Sequence, residues 1–265
     1  MYRCENNPKH HDAHALSPMA KQITLVIPGN NKELLPAGAG GEQFHYSLNR
    51  RASIKDIIEA VGVPHTEVCR LEDRGVEISF TFIPSGGEQI RVVPFDRQNN
   101  WRTRSALRPL PFDRLRFLVD MTALKLARDL RMVGLDTAIV MDQDMKETVK
   151  RANLDKRIVI TRNRNLLKIS DLIFGQLLRS DDHREQLLEV EARYELSAAA
   201  NPLSRCMVCN EILLHVPKEK IEHRLEPLTR KYYTTFKECP ACSRIYWRGS
   251  HCDRMSGVFD FLREK

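Results

Sequence analysis

The spacing of apolar and polar positions changes along the chain, and the first half has the pattern of short strands. Apolar runs bounded by turn residues predict strands over 23–27, 76–82 and 89–93. Between the first two strands, Ser53 is placed to cap a helix that ends near Gly62. The apolar residues on one side of this helix are Ile54, Ile57, Ile58 and Val61. Strands around one helix in this order favour a small β-grasp sheet.

Beyond about residue 113 the pattern alternates between strands and helices. Apolar runs predict strands over 115–119, 137–141 and 158–160, and helical spacing follows the first two. The second helix has a start signal, because Asp144 and Glu147 stand at capping-box spacing. Such alternation predicts an α/β fold with a parallel sheet and functional residues at the carboxyl ends of its strands.

Four cysteines form the strongest motif in the sequence. Two residues separate Cys206 from Cys209, and two separate Cys239 from Cys242, so both thiolates of each pair can reach one tetrahedral ion. Two such pairs predict a zinc ribbon with a closed structural Zn²⁺ site that has no open position for substrate. The alternative is two disulfides, which the lack of a secretory signal disfavours.

These patterns divide the chain into five predicted regions. They are a mobile tail over 1–20, a β-grasp domain over 21–96, a basic linker over 97–112, an α/β domain over 113–202 and a zinc ribbon over 203–265.

The charge balance suits a polyanionic partner. The net charge is +7 and the isoelectric point is near 9.1, with many arginines between 97 and 116. A basic linker can equally be a solvated connector. Since no apolar run approaches the ~20 residues that cross a bilayer, we expect a soluble, cytoplasmic protein with no membrane partner.

Acidic residues follow two of the predicted parallel strands. Asp120 ends the first strand, and Asp142 and Asp144 follow the second, so all three would lie at one sheet edge. Such convergence can hold Mg²⁺ or Mn²⁺ for phosphodiester hydrolysis, since the ion polarises the phosphate and activates water. Helix capping is a sufficient alternative reason for Asp120 and Asp144.

Several segments also carry a family resemblance. In the α/β region these are Phe117-Leu-Val-Asp120, Leu126-Ala-Arg128, Leu130-Arg-Met-Val-Gly134-Leu-Asp136 and Arg157-Ile-Val-Ile-Thr161-Arg162. They resemble the Mut-seven C-terminal RNase family. The residues around 205–210 and 246–251 resemble the zinc ribbon that follows its PIN-like domain, and 62–68 resembles the ubiquitin-like domain that often precedes it in bacterial members.

The resemblance implies a PIN-type fold that cuts RNA with a metal held by a few acids. Asp120 matches the acid that ends the first strand, and Asp144 or its neighbour Asp142 matches the acid after the second. The third expected acid follows Thr161, where this chain has Asn163 instead. An amide keeps a carbonyl oxygen but lacks the negative charge, so we expect weaker metal binding.

Basic and aromatic residues are candidates for RNA contact. Arginines near the acids could bind phosphate oxygens, or they could form an ordinary solvated helix face. These are Arg128, Arg131, Arg162 and Arg164. Ribbon residues could stack on unpaired bases or contact the backbone, whereas the aromatic ones could instead form the ribbon core. These are Tyr246, Trp247, Arg248 and His251.

Together, these features predict a ribonuclease that uses Mg²⁺ or Mn²⁺ for catalysis and Zn²⁺ for structure. One alternative is a catalytically lapsed RNA-binding or ribosome-associated protein. A second is a protein-interaction module that acts through the β-grasp domain.

Overall fold

The first sheet of the protein is a five-stranded β-grasp sheet around one helix. The computed structural model describes residues 21–36, 41–96, 98–110, 112–141 and 144–249, so the predicted tail over 1–20 lies outside the described residues. Strand order is β2-β1-β5-β3-β4, with β1 and β5 parallel. The elements are β1 (Gln22–Val26), β2 (Gln43–Ser47), α1 (Ile54–Ala60), β3 (Val68–Asp73), β4 (Val76–Ile78) and β5 (Gln89–Pro94).

Helix α1 begins where the sequence predicts. The Ser53 hydroxyl accepts a hydrogen bond from the Asp56 backbone N–H at 3.2 Å, and Asp56 accepts one from the Ser53 backbone N–H at 3.4 Å, which completes a capping box. The predicted strand over 76–82 is shorter in the structure and ends at Ile78, while β2 and β3 are additional strands. The predicted β-grasp fold is confirmed.

The second sheet is parallel throughout and has the order β7-β6-β8-β9. Its strands are β6 (Arg116–Val119), β7 (Asp136–Ile139), β8 (Ile158–Thr161) and β9 (Gly175–Leu177). The accompanying helices are α2 (Leu124–Met132), α3 (Met145–Leu154), α4 (Arg164–Leu167), α5 (His183–Tyr194) and α6 (Leu196–Ala199). The predicted alternation of strand and helix is therefore confirmed. Together, these strands and helices form the α/β domain.

Apolar residues cover both faces of the parallel sheet. On one face, α2 and α5 pack over Phe117 and Ile160. On the other face, buried residues of the sheet, such as Leu118 and Val159, join α1 and the β-grasp strands in one continuous cluster. The β-grasp domain and the α/β domain thus share part of a hydrophobic core.

The connection between the domains is packed. Over 97–112 the sequence predicts a basic linker, but Trp101 and Arg108 are each only 4% exposed. Arg108 donates hydrogen bonds to the carbonyl oxygens of His65 and Ile173, at 3.2 Å each, and to that of Val68. Neither a solvated nor a phosphate-binding role fits Arg108, because its guanidinium joins backbone groups of both domains.

The C-terminal part of the described chain is a small antiparallel sheet of order β10-β11-β12. Its elements are β10 (Leu214–Val216), α7 (Lys218–Ile221), α8 (Pro227–Tyr232), β11 (Phe236–Glu238) and β12 (Ile245–Trp247). Among the described residues, no helix is long and apolar enough to cross a membrane.

Candidate active site and zinc centre

Asp120 lies at the carboxyl end of β6, where hydroxyl groups hold its carboxylate. Oδ1 accepts hydrogen bonds from the Thr122 backbone N–H at 3.0 Å and from the Thr122 hydroxyl, and Oδ2 accepts one from Thr161 Oγ1 at 2.5 Å. Thr161 ends β8, which is paired in parallel with β6. A carboxylate has about four acceptor positions, so these bonds fix its orientation and leave capacity for another ligand.

Asp144 and Asn163 lie at the amino termini of α3 and α4. Asp144 Oδ1 accepts hydrogen bonds from two backbone N–H groups of α3, at 2.8 and 3.3 Å. Asn163 Oδ1 accepts one from the Asn165 N–H at 3.0 Å, and Asn163 Nδ2 lies 3.7 Å from the sulfur of Met145. Because Met145 follows Asp144 directly, the two helix starts meet at this edge. The predicted capping role of Asp144 is confirmed.

A chain of hydrogen bonds connects Asn163 to Asp120. The backbone N–H of Asn163 donates to Thr161 Oγ1 at 2.9 Å, and the same hydroxyl donates to Asp120. The carboxyl edge therefore carries hard oxygen donors of the kind that Mg²⁺ and Mn²⁺ prefer. Within the described ranges, however, the acids here do not form a three-carboxylate cluster, and Asp142 lies outside them.

Three of the four candidate arginines of the α/β domain are exposed. Arg128 lies on the exposed side of α2. Arg162 forms an ion pair with Asp181, and Arg164 Nη1 donates to the Leu34 carbonyl oxygen of the β-grasp domain at 3.2 Å. Arg162 and Arg164 flank Asn163 at the start of α4, and their guanidinium groups contact Asp181 and the β-grasp domain.

Arg131 does not have the predicted environment. Its side chain is only 4% exposed, and it donates to the carbonyl oxygens of Thr137, Met207 and Val208 at 2.8, 3.1 and 2.7 Å. Burial lowers the pKa of its guanidinium. An RNA-binding role for Arg131 is inconsistent with this burial, because its donors fasten the segment between Cys206 and Cys209 to α2.

The four cysteines converge as predicted. Their sulfur atoms all lie within 4.8 Å of one another, and the Cys206 and Cys242 sulfurs are 3.7 Å apart. Tetrahedral coordination with Zn–S bonds of about 2.3 Å requires a sulfur separation of about 3.8 Å, so the cluster formed by Cys206, Cys209, Cys239 and Cys242 fits Zn²⁺. Burial opposes ionisation of Cys206, but hydrogen bonds from Tyr246 and the Cys209 N–H outweigh it and lower the pKa of this thiol.

The ribbon aromatics have mostly structural surroundings. Tyr246 is buried, and its hydroxyl lies 3.1 Å from the Cys206 sulfur, which agrees with the ribbon-core alternative and is inconsistent with base stacking. Trp247 packs near Tyr233 and Phe236, with ring centroids 6.3 Å away in each case. Arg248 is exposed, and His251 lies outside the part of the chain that the structure describes.

The ribbon is attached at the amino edge of the parallel sheet, opposite Asp120. Asp136 starts β7 and accepts hydrogen bonds from Arg157 at 2.7 Å and from Asn210 at 2.8 Å. Burial alone would raise the pKa of Asp136, but these bonds and the nearby arginines lower it. Close packing at this edge also requires a glycine just before β7. Gly134 has φ +90°, and an added Cβ would lie 2.0 Å from the Asn201 carbonyl oxygen, on the chain that leads to the ribbon. Tyr246, Trp247 and Arg248 of the ribbon therefore lie away from Asp120.

Sequence reasoning missed the hydroxyl groups of Thr122 and Thr161 as partners of Asp120. A signal for the first was available, because a Thr two residues after an Asp commonly closes a local turn of this kind. The second contact links residues 41 positions apart, and it depends on the pairing of β6 with β8.

A ubiquitin-like fold, a parallel α/β domain and a four-cysteine ribbon define a multidomain α/β protein. The model of the family described as Mut7-C RNAse domain matches residues 115–259, and the model described as Mut7-C ubiquitin matches residues 20–100. The chain therefore belongs to the Mut7-C RNAse domain family, and this membership supports a nuclease-like function in general. No curated protein and no solved structure matches the chain significantly.

Proposed function

We propose that the protein is a divalent-metal-dependent ribonuclease that acts at the carboxyl edge of β6 and β8. The observation that supports this most is the network around Asp120, in a domain that matches an RNase family. Thr122 and Thr161 orient a carboxylate at a strand end that keeps partial access to solvent, so that substrate can approach. Hydroxyl groups that fix a metal-binding carboxylate typically matter for affinity and activity.

Mg²⁺ or Mn²⁺ would be held by Asp120, by Asp144 and by the side-chain oxygen of Asn163. Asp142 is the alternative to Asp144. When bound, the ion would polarise the scissile phosphate and lower the pKa of water. Arg162 and Arg128 would contact phosphate oxygens of the RNA and position the strand. Zn²⁺ would have a structural role only, because four thiolates leave no open coordination position.

The second candidate function is RNA binding without turnover, and Asn163 favours it. An amide at the third ligand position removes one negative charge from a site that must hold a divalent cation. A protein of this kind would bind RNA with an affinity that falls as salt rises, and it would not cut RNA when Mn²⁺ or Mg²⁺ is added.

Cleavage of labelled single-stranded and structured RNA, with Mn²⁺ or Mg²⁺ against EDTA, tests the proposal. Wild type should cut only with the metal. Asp120→Asn should lower the rate by at least about 100-fold, because losing even a residue that only supports a metal ligand costs up to about 100-fold. Asp113→Asn is the matched control, since Asp113 precedes β6 at the other edge and its side chain is 65% exposed. This control should cut like wild type.

Asn163→Asp separates the two candidate functions with little risk to the fold. Aspartate keeps the oxygen that caps α4, so the helix start should be preserved. If wild type is inert and Asn163→Asp cuts, the protein is the RNA-binding candidate. If neither protein cuts any RNA tested, the ribonuclease proposal is wrong.

A further inference from the structure

A basic cleft lies between the β-grasp domain and the carboxyl ends of β8 and β9. Its volume is 470 Å³. The 3₁₀ helix Gly29–Leu34 of the β-grasp domain forms one wall, and the segments after β8 and β9 form the other. The charged lining residues are Glu33, Arg162, Arg164 and Arg179, and the rest of the lining consists of three leucines.

Positive charge dominates this cleft, with three guanidinium groups against one carboxylate. Arg164 Nη1 donates to the Leu34 carbonyl oxygen and Arg179 Nη2 to that of Asn30, each at 3.2 Å. These neutral acceptors on the β-grasp domain hold two arginines in position without cancelling their charge. The β-grasp domain is thus part of the wall and also the support of its arginines.

The acidic partners of these arginines are exposed to solvent. Arg179 Nε lies 3.4 Å from Glu33 Oε2, and Arg162 pairs with Asp181, whose side chain is 80% exposed. The Arg162–Asp181 pair is exposed on both sides, and such pairs contribute little to stability, whereas Arg179 is half-buried and only its partner Glu33 is exposed. A phosphate group, which matches the planar guanidinium fork, can therefore replace a carboxylate at low cost.

The cleft adjoins the candidate active site through Arg162. The Arg162 backbone N–H donates to Thr122 Oγ1 at 3.0 Å, and Thr122 in turn donates to Asp120. Asn163 stands between the two arginines Arg162 and Arg164 in the sequence. A strand whose scissile phosphate lies at Asp120 can therefore pass directly into the cleft.

We propose that this cleft binds the phosphodiester backbone of an RNA strand beside the scissile phosphate. The β-grasp domain is then a fixed part of the substrate-binding surface, through Glu33, Leu34 and the backbone that holds Arg179. This inference rests on the proposed function for its choice of RNA. It adds Arg179 as a substrate-positioning residue and gives the β-grasp domain a role in the nuclease reaction.

Binding of fluorescein-labelled single-stranded RNA to the full, zinc-loaded chain tests the cleft. Fluorescence anisotropy is measured from 50 to 200 mM salt without added Mg²⁺ or Mn²⁺, on an Asp120→Asn background so that the RNA stays intact. Arg179→Ala should weaken binding about threefold and lower the log–log salt slope by about 0.7, the value for one lost contact to a single strand. Glu33→Gln should strengthen binding, because it releases the charge of Arg179. Arg114→Ala, at an arginine that is 65% exposed beyond the opposite edge of the sheet, should change nothing.

Opposite effects of Arg179→Ala and Glu33→Gln cannot both arise from misfolding. The cleft proposal is overturned if Arg179→Ala behaves like Arg114→Ala, if Glu33→Gln fails to strengthen binding, or if the parent protein does not bind RNA. The proposed function fails separately. RNA binding that depends on Arg179, in a chain that never cuts, would contradict the nuclease alone, whereas metal-dependent cutting without an Arg179 effect on binding would contradict the cleft alone.

Discussion

The two edges of the parallel sheet are built with opposite chemistry. At the amino edge, Arg131 and Asp136 are buried or half-buried, and their polar atoms are used to fasten the ribbon. At the carboxyl edge, Asp120 is held by hydroxyl groups of Thr122 and Thr161 and keeps partial access to solvent. Charged groups that are fully engaged by the protein stabilise it, whereas a charged group that is oriented but still accessible can bind a ligand.

This comparison explains why charge alone is a poor guide to the site. Arg131 and Arg128 are three residues apart on α2, yet one is buried under the ribbon and the other is exposed. Only the exposed residue can reach RNA. The buried one instead determines how the ribbon is attached to α2.

The largest expected effect comes from breaking the ribbon at the amino edge. Cys239→Ser removes a buried thiol of the four-cysteine cluster, and structural zinc sites supply roughly 10–16 kcal/mol of coupled folding free energy. Zinc content should fall well below one ion per chain, and the ribbon should lose protection from limited proteolysis. Metal analysis of the purified variant checks this, with Cys69→Ser, outside the cluster, as control. Full zinc retention would contradict the assigned ligand set.

A smaller effect is expected from the carboxyl edge. Thr161→Val keeps the shape of a buried side chain but removes the hydroxyl that donates to Asp120. RNA cleavage should fall about 10–100-fold, as for the loss of an outer-shell partner.

Thr137→Val is the matched control for this substitution. Thr137 is as buried as Thr161 but lies at the amino edge of the sheet. Its hydroxyl donates to the Leu135 carbonyl oxygen at 3.2 Å. It should lower thermal stability and leave the cleavage rate of folded protein unchanged. Equal losses of cleavage in both variants would show that the two edges are not functionally distinct.

The smallest expected effect distinguishes the buried from the exposed arginine of α2. Arg131→Met should lower the free energy of unfolding by about 1–3 kcal/mol, because buried carbonyl oxygens lose their donor. Urea unfolding measures this, and Arg128→Met should change the stability by less than about 0.5 kcal/mol as an exposed substitution. If Arg131→Met is as stable as Arg128→Met, the buried network does not fasten the ribbon.

Local features of the fold could be predicted from the sequence, and nonlocal ones could not. The caps at Ser53 and Asp144 were predictable because each involves residues within one helical turn. The convergence of the four cysteines was predictable because the geometry of a metal site restricts the spacing of its ligands along the chain. Strand β2 was missed because Gln43-Phe-His-Tyr-Ser47 mixes polar and apolar residues at an edge of the sheet.

The candidate site was predictable only in part for the same reason. Asp120 and Asp144 follow parallel strands, so their common edge follows from topology. The burial of Arg108 and Arg131 depends on surfaces that come from other domains, and no local pattern reports it. The cleft beside Asn163 depends on how the β-grasp domain docks, which strand and helix patterns do not specify.

Binding of Mn²⁺ to the zinc-loaded protein, followed by the paramagnetic resonance signal of the free ion, tests for a metal site at the carboxyl edge without requiring turnover. Asp120→Asn and Asp136→Asn change one carboxylate at each edge of the same sheet. We expect Asp120→Asn to weaken Mn²⁺ affinity at least about 10-fold and Asp136→Asn to bind like wild type. Equal affinity in all three proteins, or no Mn²⁺ binding by wild type, would contradict a metal site at the carboxyl edge.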